Sequence, residues 1–372
     1  MKDYIKLFNI KNMTIAKFHK NIHILIICSL NKSEKIKGGL ELYLERLIEI
    51  FNEMNVKIFL AAPCILQGAE NYLKINPEKK YFFKTIEQLN NYIKKNTINL
   101  IISNDCYSDF LAGWLKLSNS KIIFASIIHD VYYSENMSIL LKIKKKNYCF
   151  IDGILLKFFD YKIFYSIVLY RKYTDSKTIF FNAGLFKKNY EYSIATLEKP
   201  RKKKIIGWIG RPDIIKKGLD IFLKISEKLD SDKYEFVIAG IEKTRHIENL
   251  LPNNVNIKFC GYLTNPAEFY EAVDIVILPS RYESLGFTAI EAIYYCKIVI
   301  LSDIPSFNNL LKLINYPLKP VKLNDIDEYV KRIQNCRIAE EELKKYSILV
   351  SEIFSFDTLK KNCLNFIDNI VF

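Results

Sequence analysis

Residues 275–292 read IVILPSRYESLGFTAIEA, and this stretch decides the fold. The apolar run Ile275–Leu278 predicts a buried strand, and the spacing of apolar residues over Leu285–Tyr295 predicts a helix. The loop between them carries Glu283, and Glu291 lies inside the helix. A strand followed at once by a helix is the repeating unit of a parallel α/β sheet. Ligands of such sheets bind beyond the carboxyl ends of the strands, so a binding site is expected at this loop.

Short apolar runs alternate with helical patterns along the whole chain, which predicts two Rossmann-like units in the α/β class. The polar segment 187–204 has the composition of a domain linker. We therefore expect an N-terminal domain over residues 1–186 and a C-terminal domain over residues 187–354. The other predicted strands are His23–Cys28, Val56–Ala61, Leu100–Ser103, Ile122–Ser126, Tyr161–Ser166, Lys177–Phe181, Ile205–Ile209, Tyr234–Ala239, Val255–Phe259 and Ile298–Leu301, and the other predicted helices are Leu40–Glu53, Leu219–Leu229, Pro266–Ala272, Ile326–Ile333 and Ala339–Phe372.

The composition limits the classes of function. The 372 residues carry 55 Lys and Arg against 41 Asp and Glu, a net charge of +14. Such an excess suits an anionic partner without choosing among nucleotides, nucleic acids and membrane surfaces. The basic residues are dispersed and no reading motif occurs, so nucleic acid is not an expected partner. The eight cysteines lack zinc-binding spacing, which favours a reducing compartment and buried free thiols such as Cys28 and Cys260.

Two segments bear on localisation. The first 20 residues lack the sustained apolar run of a secretory signal. The most apolar long segment, Cys149–Tyr170, contains four charged residues, so a spanning helix is not expected. Residues 140–173 mix lysines with apolar residues, which fits either contact with an anionic membrane or a core with a solvated face. The sequence therefore predicts a cytoplasmic protein and leaves contact with the inner face of the plasma membrane open.

A candidate anion site follows the strand Ile205–Ile209. Arg211 comes directly after the strand, and Lys217 stands six residues on, at the mouth of the next predicted helix. Two cations and a helix N-terminus that converge on one point suit a phosphate group. At this spacing alone, solvated surface cations are the commoner alternative.

The stretch 275–292 predicts a second half of the same site. Backbone N–H groups of Ser284–Phe287, at the start of the helix, can hold a phosphate. Glu283 lies before this point and Glu291 after it, and carboxylates accept paired hydrogen bonds from vicinal hydroxyls. A nucleotide sugar has that layout, with hydroxyls on both sides of a diphosphate. The alternative is one glutamate that favours the helix dipole and one solvated helix glutamate.

The N-terminal half offers two weaker signals. His129 ends a predicted strand and precedes Asp130, but a lone histidine in that place is more often a structural hydrogen-bonding group. Gly38-Gly39 follows the first predicted strand and could admit a phosphate close to the backbone or form an ordinary turn.

The ordered motifs of the C-terminal half resemble those of the group 1 (family 4) glycosyltransferases with the GT-B fold. The resemblance implies a retaining enzyme whose two Rossmann-like domains face each other across a cleft. It also implies a C-terminal helix, about residues 355–372, that crosses back to the N-terminal domain. The motifs are Gly210-Arg211, Lys217-Gly218, Gly240, Gly261-Tyr262-Leu263 and Pro279-Ser280-x2-Glu283-x7-Glu291, within about 90 consecutive residues.

The resemblance implies a role for each matching residue. Arg211 and Lys217 would hold the diphosphate, Glu291 the ribose and Glu283 the transferring sugar. Gly261–Leu263 would line the base, His129 would position a sugar hydroxyl, and the glycine loop at Gly39 would cover the diphosphate. The implied donor-binding residues are Gly39, Arg211, Lys217, Tyr262, Leu263, Ser284, Leu285, Gly286, Phe287 and Glu291, and the implied catalytic residues are His129 and Glu283.

No metal or other cofactor is expected. Asp230-Ser-Asp232 is predicted in a turn, and Asp325-Ile-Asp327 is predicted to cap a helix, so neither suits a diphosphate-bound metal. Cations and helix-start amides would then stabilise the leaving diphosphate. Near the sugar pocket the chain departs from the family pattern, with Cys296 and Ile298 in place of the usual glycine and proline.

The expected function is transfer of a hexose from a nucleotide-diphosphate sugar to an acceptor hydroxyl. A UDP-sugar is favoured over a GDP-sugar, and the expected acceptor is a glycan or a lipid-linked glycan of bacterial surface polysaccharide or lipopolysaccharide. One alternative is a nucleotide-sugar epimerase on the same scaffold, which would release an isomerised sugar without an acceptor. Another is a non-catalytic GT-B partner protein, against which the intact Arg211, Lys217, Glu283 and Glu291 argue.

Overall fold

A computed structural model describes residues 22–29, 39–128, 157–172, 175–187, 202–252 and 255–370. The chain divides into an N-terminal unit, residues 2–187 with 354–372, and a C-terminal unit, residues 188–353. Each unit contains one parallel β-sheet with helices in its crossover connections, which confirms the predicted α/β class.

The N-terminal unit is built from apolar strands joined by helices. Strands such as Leu100–Ser103 are buried along their whole length, as expected for a parallel sheet that is covered on both faces. The strands are β1 His23–Ile27, β2 Lys57–Ala62, β3 Asn71–Lys74, β4 Leu100–Ser103, β5 Ile123–Ile128, β6 Tyr161–Phe164 and β7 Thr178–Phe180, and the helices described are α1 Gly39–Glu53, α2 Phe82–Asn96, α3 Cys106–Ser118, α4 Ile167–Lys172 and α13 Phe356–Ile370.

In the described part of the N-terminal unit, seven parallel strands form a sheet in the order β3-β2-β1-β4-β5-β6-β7. On one face of the sheet, Leu25, Ile101 and Phe124 form a core with residues of α2 and α3. The terminal helix α13 belongs to this unit, because the buried Asn362 side chain accepts a hydrogen bond from the backbone N–H of Asn182 at 2.9 Å.

The C-terminal unit repeats the pattern with five strands. Its core is centred on Trp208, which is fully buried among apolar residues of the sheet and the flanking helices. The strands are β8 Lys204–Ile209, β9 Tyr234–Ala239, β10 Ile257–Phe259, β11 Ile275–Leu278 and β12 Ile298–Leu301, and the helices are α5 Ile214–Lys217, α6 Leu219–Lys228, α7 Arg245–Glu248, α8 Ala267–Ala272, α9 Phe287–Tyr294, α10 Pro305–Ile314, α11 Ile326–Asn335 and α12 Glu340–Ile353.

The strand order of the C-terminal unit is β10-β9-β8-β11-β12, and all neighbours are parallel. From β8 the chain builds the sheet outward through β9 and β10, and then returns to the other side of β8 as β11. Adjacent strands whose connections run in opposite directions form a topological switch point, where open α/β sheets bind ligands. In this unit that point lies beyond the carboxyl ends of β8 and β11.

Most predicted strands and helices are confirmed within one or two residues at each end. Elements that were not predicted include β3, α2, α3 and α10. The buried position of Cys28 is confirmed, whereas Cys260 is half-buried because it lies just past the end of β10. The cysteines of the described ranges are all free thiols.

Candidate functional site

Two loops meet beyond the carboxyl ends of β8 and β11. The backbone N–H of Arg281 donates to the carbonyl of Lys216 at 2.8 Å. The Arg281 guanidinium forms a bidentate pair with Asp220, at 2.8 Å and 2.7 Å, and also donates to the carbonyl of Ile215 at 2.6 Å. The hydrogen bonds that Arg281 donates to Asp220 raise the pKa of the Arg281 side chain above its usual value. These contacts fix the loop after β11 against the short helix α5.

A glycine allows this close approach. Gly218, between α5 and α6, has φ +69°, and a Cβ atom there would overlap the carbonyl oxygen of Pro279. Because of the positive φ and this overlap, any residue other than glycine would strain the backbone at position 218. Below the loop, the indole N–H of Trp208 donates to the carbonyl of Lys217 at 3.2 Å. The backbone that carries Lys217 is therefore held from the core side and from the β11 side.

Lys217 and Glu283 form an ion pair at the switch point. Lys217 Nζ lies 2.7 Å from Glu283 Oε1, and the two side chains are only 18% and 10% exposed. The Ser280 hydroxyl donates to the same carboxylate oxygen at 3.0 Å, and Ser302 donates to the carbonyl of Ser280 at 2.6 Å. Lys217, predicted to bind the diphosphate, and Glu283, predicted to bind the sugar, are thus in direct contact, and Lys217 is not the solvated surface cation of the alternative interpretation.

Helix α9 starts next to this pair. Gly286 is its N-cap, with φ +84°, and the Gly286 carbonyl accepts hydrogen bonds from the backbone N–H groups of Ala289 and Ile290. A Cβ atom on Gly286 would lie 2.6 Å from the ring of Phe307, so this position also requires glycine. The positive end of the helix dipole lies at this point, as the sequence predicts.

Glu291, inside α9, is oriented by a buried tyrosine. The hydroxyl of Tyr270 donates to Glu291 Oε2 at 3.0 Å, and the Tyr270 ring stacks on Tyr295 with 4.9 Å between centroids. Burial, and then the charge of Glu291, hold the pKa of Tyr270 well above its usual value. The hydroxyl therefore remains a hydrogen-bond donor to Glu291 over the whole physiological pH range.

Glycines also turn the chain at the neighbouring strand ends. Gly240, with φ +84°, donates its backbone N–H to the carbonyl of Gly261 at 2.8 Å, and its missing Cβ leaves room for the carbonyl of Gly210. Arg211 follows Gly210 and is exposed, whereas Tyr262 and Leu263 follow Gly261 and are half-buried. The residues predicted after β8 and β10 therefore leave the sheet at the edge that carries the Lys217–Glu283 pair.

Other predicted residues lie elsewhere in the chain. Gly39 is the first residue of α1 in the N-terminal unit, and Gly38, His129 and Asp130 lie outside the described residues. Sequence reasoning gave no role to four residues of the site. Ser280 is part of the motif that contains Glu283 and stands three residues before it, but the other three have partners far away in the chain. The four residues are Ser280, Asp220, Arg281 and Tyr270.

The two aspartate motifs have structural partners. Asp325 is the N-cap of α11 and accepts a hydrogen bond from the backbone N–H of Glu328 at 3.1 Å, as predicted. Asp230, in the turn before β9, accepts from the backbone N–H of Asp232 at 2.9 Å. In the described ranges, no cluster of three His, Cys, Asp or Glu side chains is placed to hold a metal ion. No helix of those ranges combines the length and apolar character needed to cross a bilayer.

Comparison with solved structures identifies the fold as GT-B. Sucrose-phosphate synthase from Thermosynechococcus elongatus matches with a TM-score of 0.76 and 18% identity, over 94% of this chain and 99% of that one. Anabaena HepE, solved in complex with UDP and glucose, matches with a TM-score of 0.71 and 14% identity, over 94% of this chain and all of that one.

Sequence comparisons indicate the class of protein to which this chain is similar. The family model described as "Glycosyl transferases group 1" matches residues 189–349, within the C-terminal unit. A 41.2 kDa protein in the cps region of Klebsiella pneumoniae is 26% identical over 312 residues, 75% of this chain and 82% of that protein. The O-antigen biosynthesis glycosyltransferase WclY of Escherichia coli is 29% identical over 124 residues, 32% of this chain and 35% of that protein. Together with the fold, these findings support a group 1 glycosyltransferase.

Proposed function

We propose that this protein is a retaining glycosyltransferase that moves a hexose from a nucleotide-diphosphate sugar to an acceptor hydroxyl without a divalent metal. The observation that carries the proposal is the Lys217–Glu283 pair, which lies at the switch point of the C-terminal sheet and next to the start of α9. It places a cation, a carboxylate and a helix N-terminus together, and a sugar diphosphate needs all three.

Donor binding would redistribute the partners of these groups. Lys217, with Arg211 and the first turn of α9, would bind the diphosphate through charge-assisted hydrogen bonds. Glu283 would then accept hydrogen bonds from hydroxyls of the sugar and keep its bond from Ser280. Glu291, oriented by Tyr270, would accept the ribose hydroxyls, and the backbone at Tyr262 and Leu263 would line the base.

The chemistry we propose is electrostatic. As the bond between the anomeric carbon and the diphosphate oxygen breaks, negative charge grows on the leaving diphosphate, where Lys217, Arg211 and the amides of α9 would stabilise it. The acceptor hydroxyl would attack on the face that the diphosphate leaves and pass its proton to the departing phosphate oxygen, so that the anomeric configuration is retained. His129 would position a hydroxyl of the sugar.

The names of similar proteins support a role in surface glycan assembly. The Klebsiella pneumoniae relative lies in a cps region, and WclY is described as an enzyme of O-antigen biosynthesis. A structure described as the lipopolysaccharide outer core galactosyltransferase WaaB shares the fold at a TM-score of 0.66. HepE was solved with UDP-glucose as well as with UDP, which favours a UDP-sugar donor. We propose a glycan or lipid-linked acceptor, held by the N-terminal unit, on the cytoplasmic side of the membrane.

A donor screen in EDTA tests the proposal. UDP- and GDP-sugars are incubated with the protein, with and without lipid-linked glycan acceptors, and the products are analysed by mass spectrometry and by NMR of the anomeric proton. The proposal expects one UDP-sugar to be consumed with acceptor and a retained configuration. An isomerised sugar formed in the absence of acceptor would instead identify an epimerase. Transfer only after Mg²⁺ is added would contradict the metal-independent step, and failure to convert any donor in either condition would support a non-catalytic protein.

A further inference from the structure

An aromatic surface patch lies on α2 and α3 of the N-terminal unit. Phe110, Trp114 and Leu117 share one face of α3, since they are spaced at four and three residues. Phe82 and Phe83 extend this face from the start of α2. Phe83 is 74% exposed, Leu117 75%, Trp114 42% and Phe110 37%. These five residues are called the aromatic patch below.

The four rings of the patch pack on one another, and Leu117 lies one helical turn from Trp114 on the same face of α3. Phe82 is the centre, with its ring 5.0 Å from that of Phe110 and 5.8 Å from that of Trp114. Phe83 reaches Trp114 at 6.2 Å with an interplanar angle of 80°. Single exposed apolar residues are common on proteins, but a continuous exposed patch of large rings marks a surface for interaction.

The surroundings of the patch are basic. Residues 78–95, which include most of α2 and the turn before it, contain five lysines and two glutamates. Lys84 is exposed beside Phe83, and Glu87 lies one turn further along α2. Lys80 is also exposed and pairs with Glu78 at 2.8 Å. An anionic surface would therefore be attracted to this side of the unit.

We propose that the aromatic patch docks on the surface of an anionic lipid bilayer. Aromatic rings favour the interface between lipid and water, and lysines beside them attract acidic headgroups. Two other occupants fit less well. The rings of Phe82 and Phe83 meet Trp114 at 73° and 80° and so form no common flat platform for a glycan, and a two-fold contact with a second copy would bring like charges together. This proposal depends on the proposed function only for the reason why the protein would dock, which is access to a lipid-linked acceptor.

Tryptophan fluorescence reports on this surface selectively. The chain has two tryptophans, and Trp208 is already fully buried in the C-terminal core. A change in emission upon membrane binding therefore comes from Trp114. With vesicles of phosphatidylcholine containing phosphatidylglycerol, we expect a blue shift and protection from iodide quenching, and with pure phosphatidylcholine vesicles we expect neither.

Flotation of the same vesicles measures binding itself. We expect the double variant Phe83→Ser/Leu117→Ser to weaken binding by about tenfold or more, because the two most exposed patch residues lose their apolar contact with lipid. The control is Ile65→Ser, which removes an apolar residue that is 54% exposed and lies outside the patch, and it should bind like wild type. Trp114→Phe should float like wild type but show no blue shift.

Three results would overturn the proposal. They are failure of wild type to bind either vesicle, binding without any change in Trp114 emission, and equal binding by the Phe83→Ser/Leu117→Ser variant. If light scattering shows dimers that this variant loses, the patch is instead a contact between copies. UDP binding is measured on the same samples without vesicles. A variant that retains UDP binding but loses vesicle binding shows that the aromatic patch is separate from the donor site. If wild type does not bind UDP, that result contradicts only the proposed function.

Discussion

Lys217 Nζ contacts Glu283 Oε1 at 2.7 Å although 66 residues separate the two in the chain. The contact joins the loop after β8 to the loop after β11, at the switch point of the sheet. Each residue holds the other in place, and in the proposed function an arriving diphosphate would take over the ammonium group of Lys217. Pre-positioned charges of this kind lower the cost of stabilising a leaving group.

The ion pair should contribute to stability as well as to binding. Lys217→Ala leaves the carboxylate of Glu283 mostly buried, with the Ser280 hydroxyl as its side-chain donor, so we expect a loss of about 2 kcal/mol in the free energy of unfolding. Lys228→Ala, which breaks an exposed pair with Asp327, should cost about 0.5 kcal/mol or less. Urea unfolding measures both. Equal losses for the two variants would show that the Lys217–Glu283 pair behaves as a surface pair.

The approach of the two loops depends on Gly218. Gly218→Ala combines a positive φ with an overlap against the Pro279 carbonyl, and should cost about 3 kcal/mol or more. Gly68→Ala is the matched control, since Gly68 also has positive φ, at +83°, but has its nearest neighbour at 3.4 Å. It should cost about 1 kcal/mol. If thermal unfolding shows the same loss for both, the close approach to Pro279 has no energetic weight.

Arg281 and Asp220 should act as positioning residues for the same loops. A double-mutant cycle with Arg281→Ala and Asp220→Ala should give a coupling energy of about 2 kcal/mol, because the pair is bidentate and half-buried. The helical pair Arg332–Glu328 should give about 0.5 kcal/mol.

UDP affinity separates positioning from a purely structural role. Arg281→Lys keeps the charge but loses the bidentate geometry, so it should weaken UDP binding in calorimetry at a temperature where the variant is fully folded. Binding by Arg281→Lys and by Arg281→Ala that equals wild type would limit the residue to stability.

The bond from Tyr270 to Glu291 gives a pH-dependent prediction. Tyr270→Phe should cost about 1 kcal/mol of stability at neutral pH, since one buried hydrogen bond is lost. Above pH 10, the unfolded wild-type chain releases the tyrosine proton while folded Tyr270, whose pKa is raised by burial, retains it. Through this group the free energy of unfolding of wild type therefore falls by about 1.4 kcal/mol per pH unit, so its advantage of about 1 kcal/mol over Tyr270→Phe should be lost by pH 11. Unfolding titrations at pH 8 and pH 11 that show a constant or growing difference contradict this assignment.

Local patterns predicted much of the fold. Strands β8, β9, β11 and β12 are apolar runs bounded by polar residues, and the start of α9 is marked by Gly286, so periodicity and one glycine locate them. The edge strand β3 was not predicted, because Asn71–Lys74 is short, partly polar and half-exposed. Helix α10 could have been predicted from two residues, Pro305 in its first turn and Asn315 just past its end, because proline and asparagine are common at these positions of a helix.

The site could be predicted in part. Its charged residues stand next to strand ends, and the carboxyl ends of parallel strands lie on one edge of the sheet, so Lys217 and Glu283 could be placed on that edge from sequence. Their direct contact could not, because it depends on how the loop after β11 packs against α5. The support that Tyr270 gives to Glu291 could not either, because it depends on how α8 and α9 pack.

Calorimetric titration with UDP in EDTA tests the central claim most directly. Wild type should bind UDP without metal, Lys217→Ala should bind it about 10- to 100-fold more weakly, and Lys224→Ala, which removes an exposed lysine of α6, should match wild type. Circular dichroism confirms that each variant is folded at the assay temperature. UDP binding that requires a divalent ion, or a folded Lys217→Ala variant with wild-type affinity, would contradict the claim that Lys217 binds the diphosphate without a metal ion.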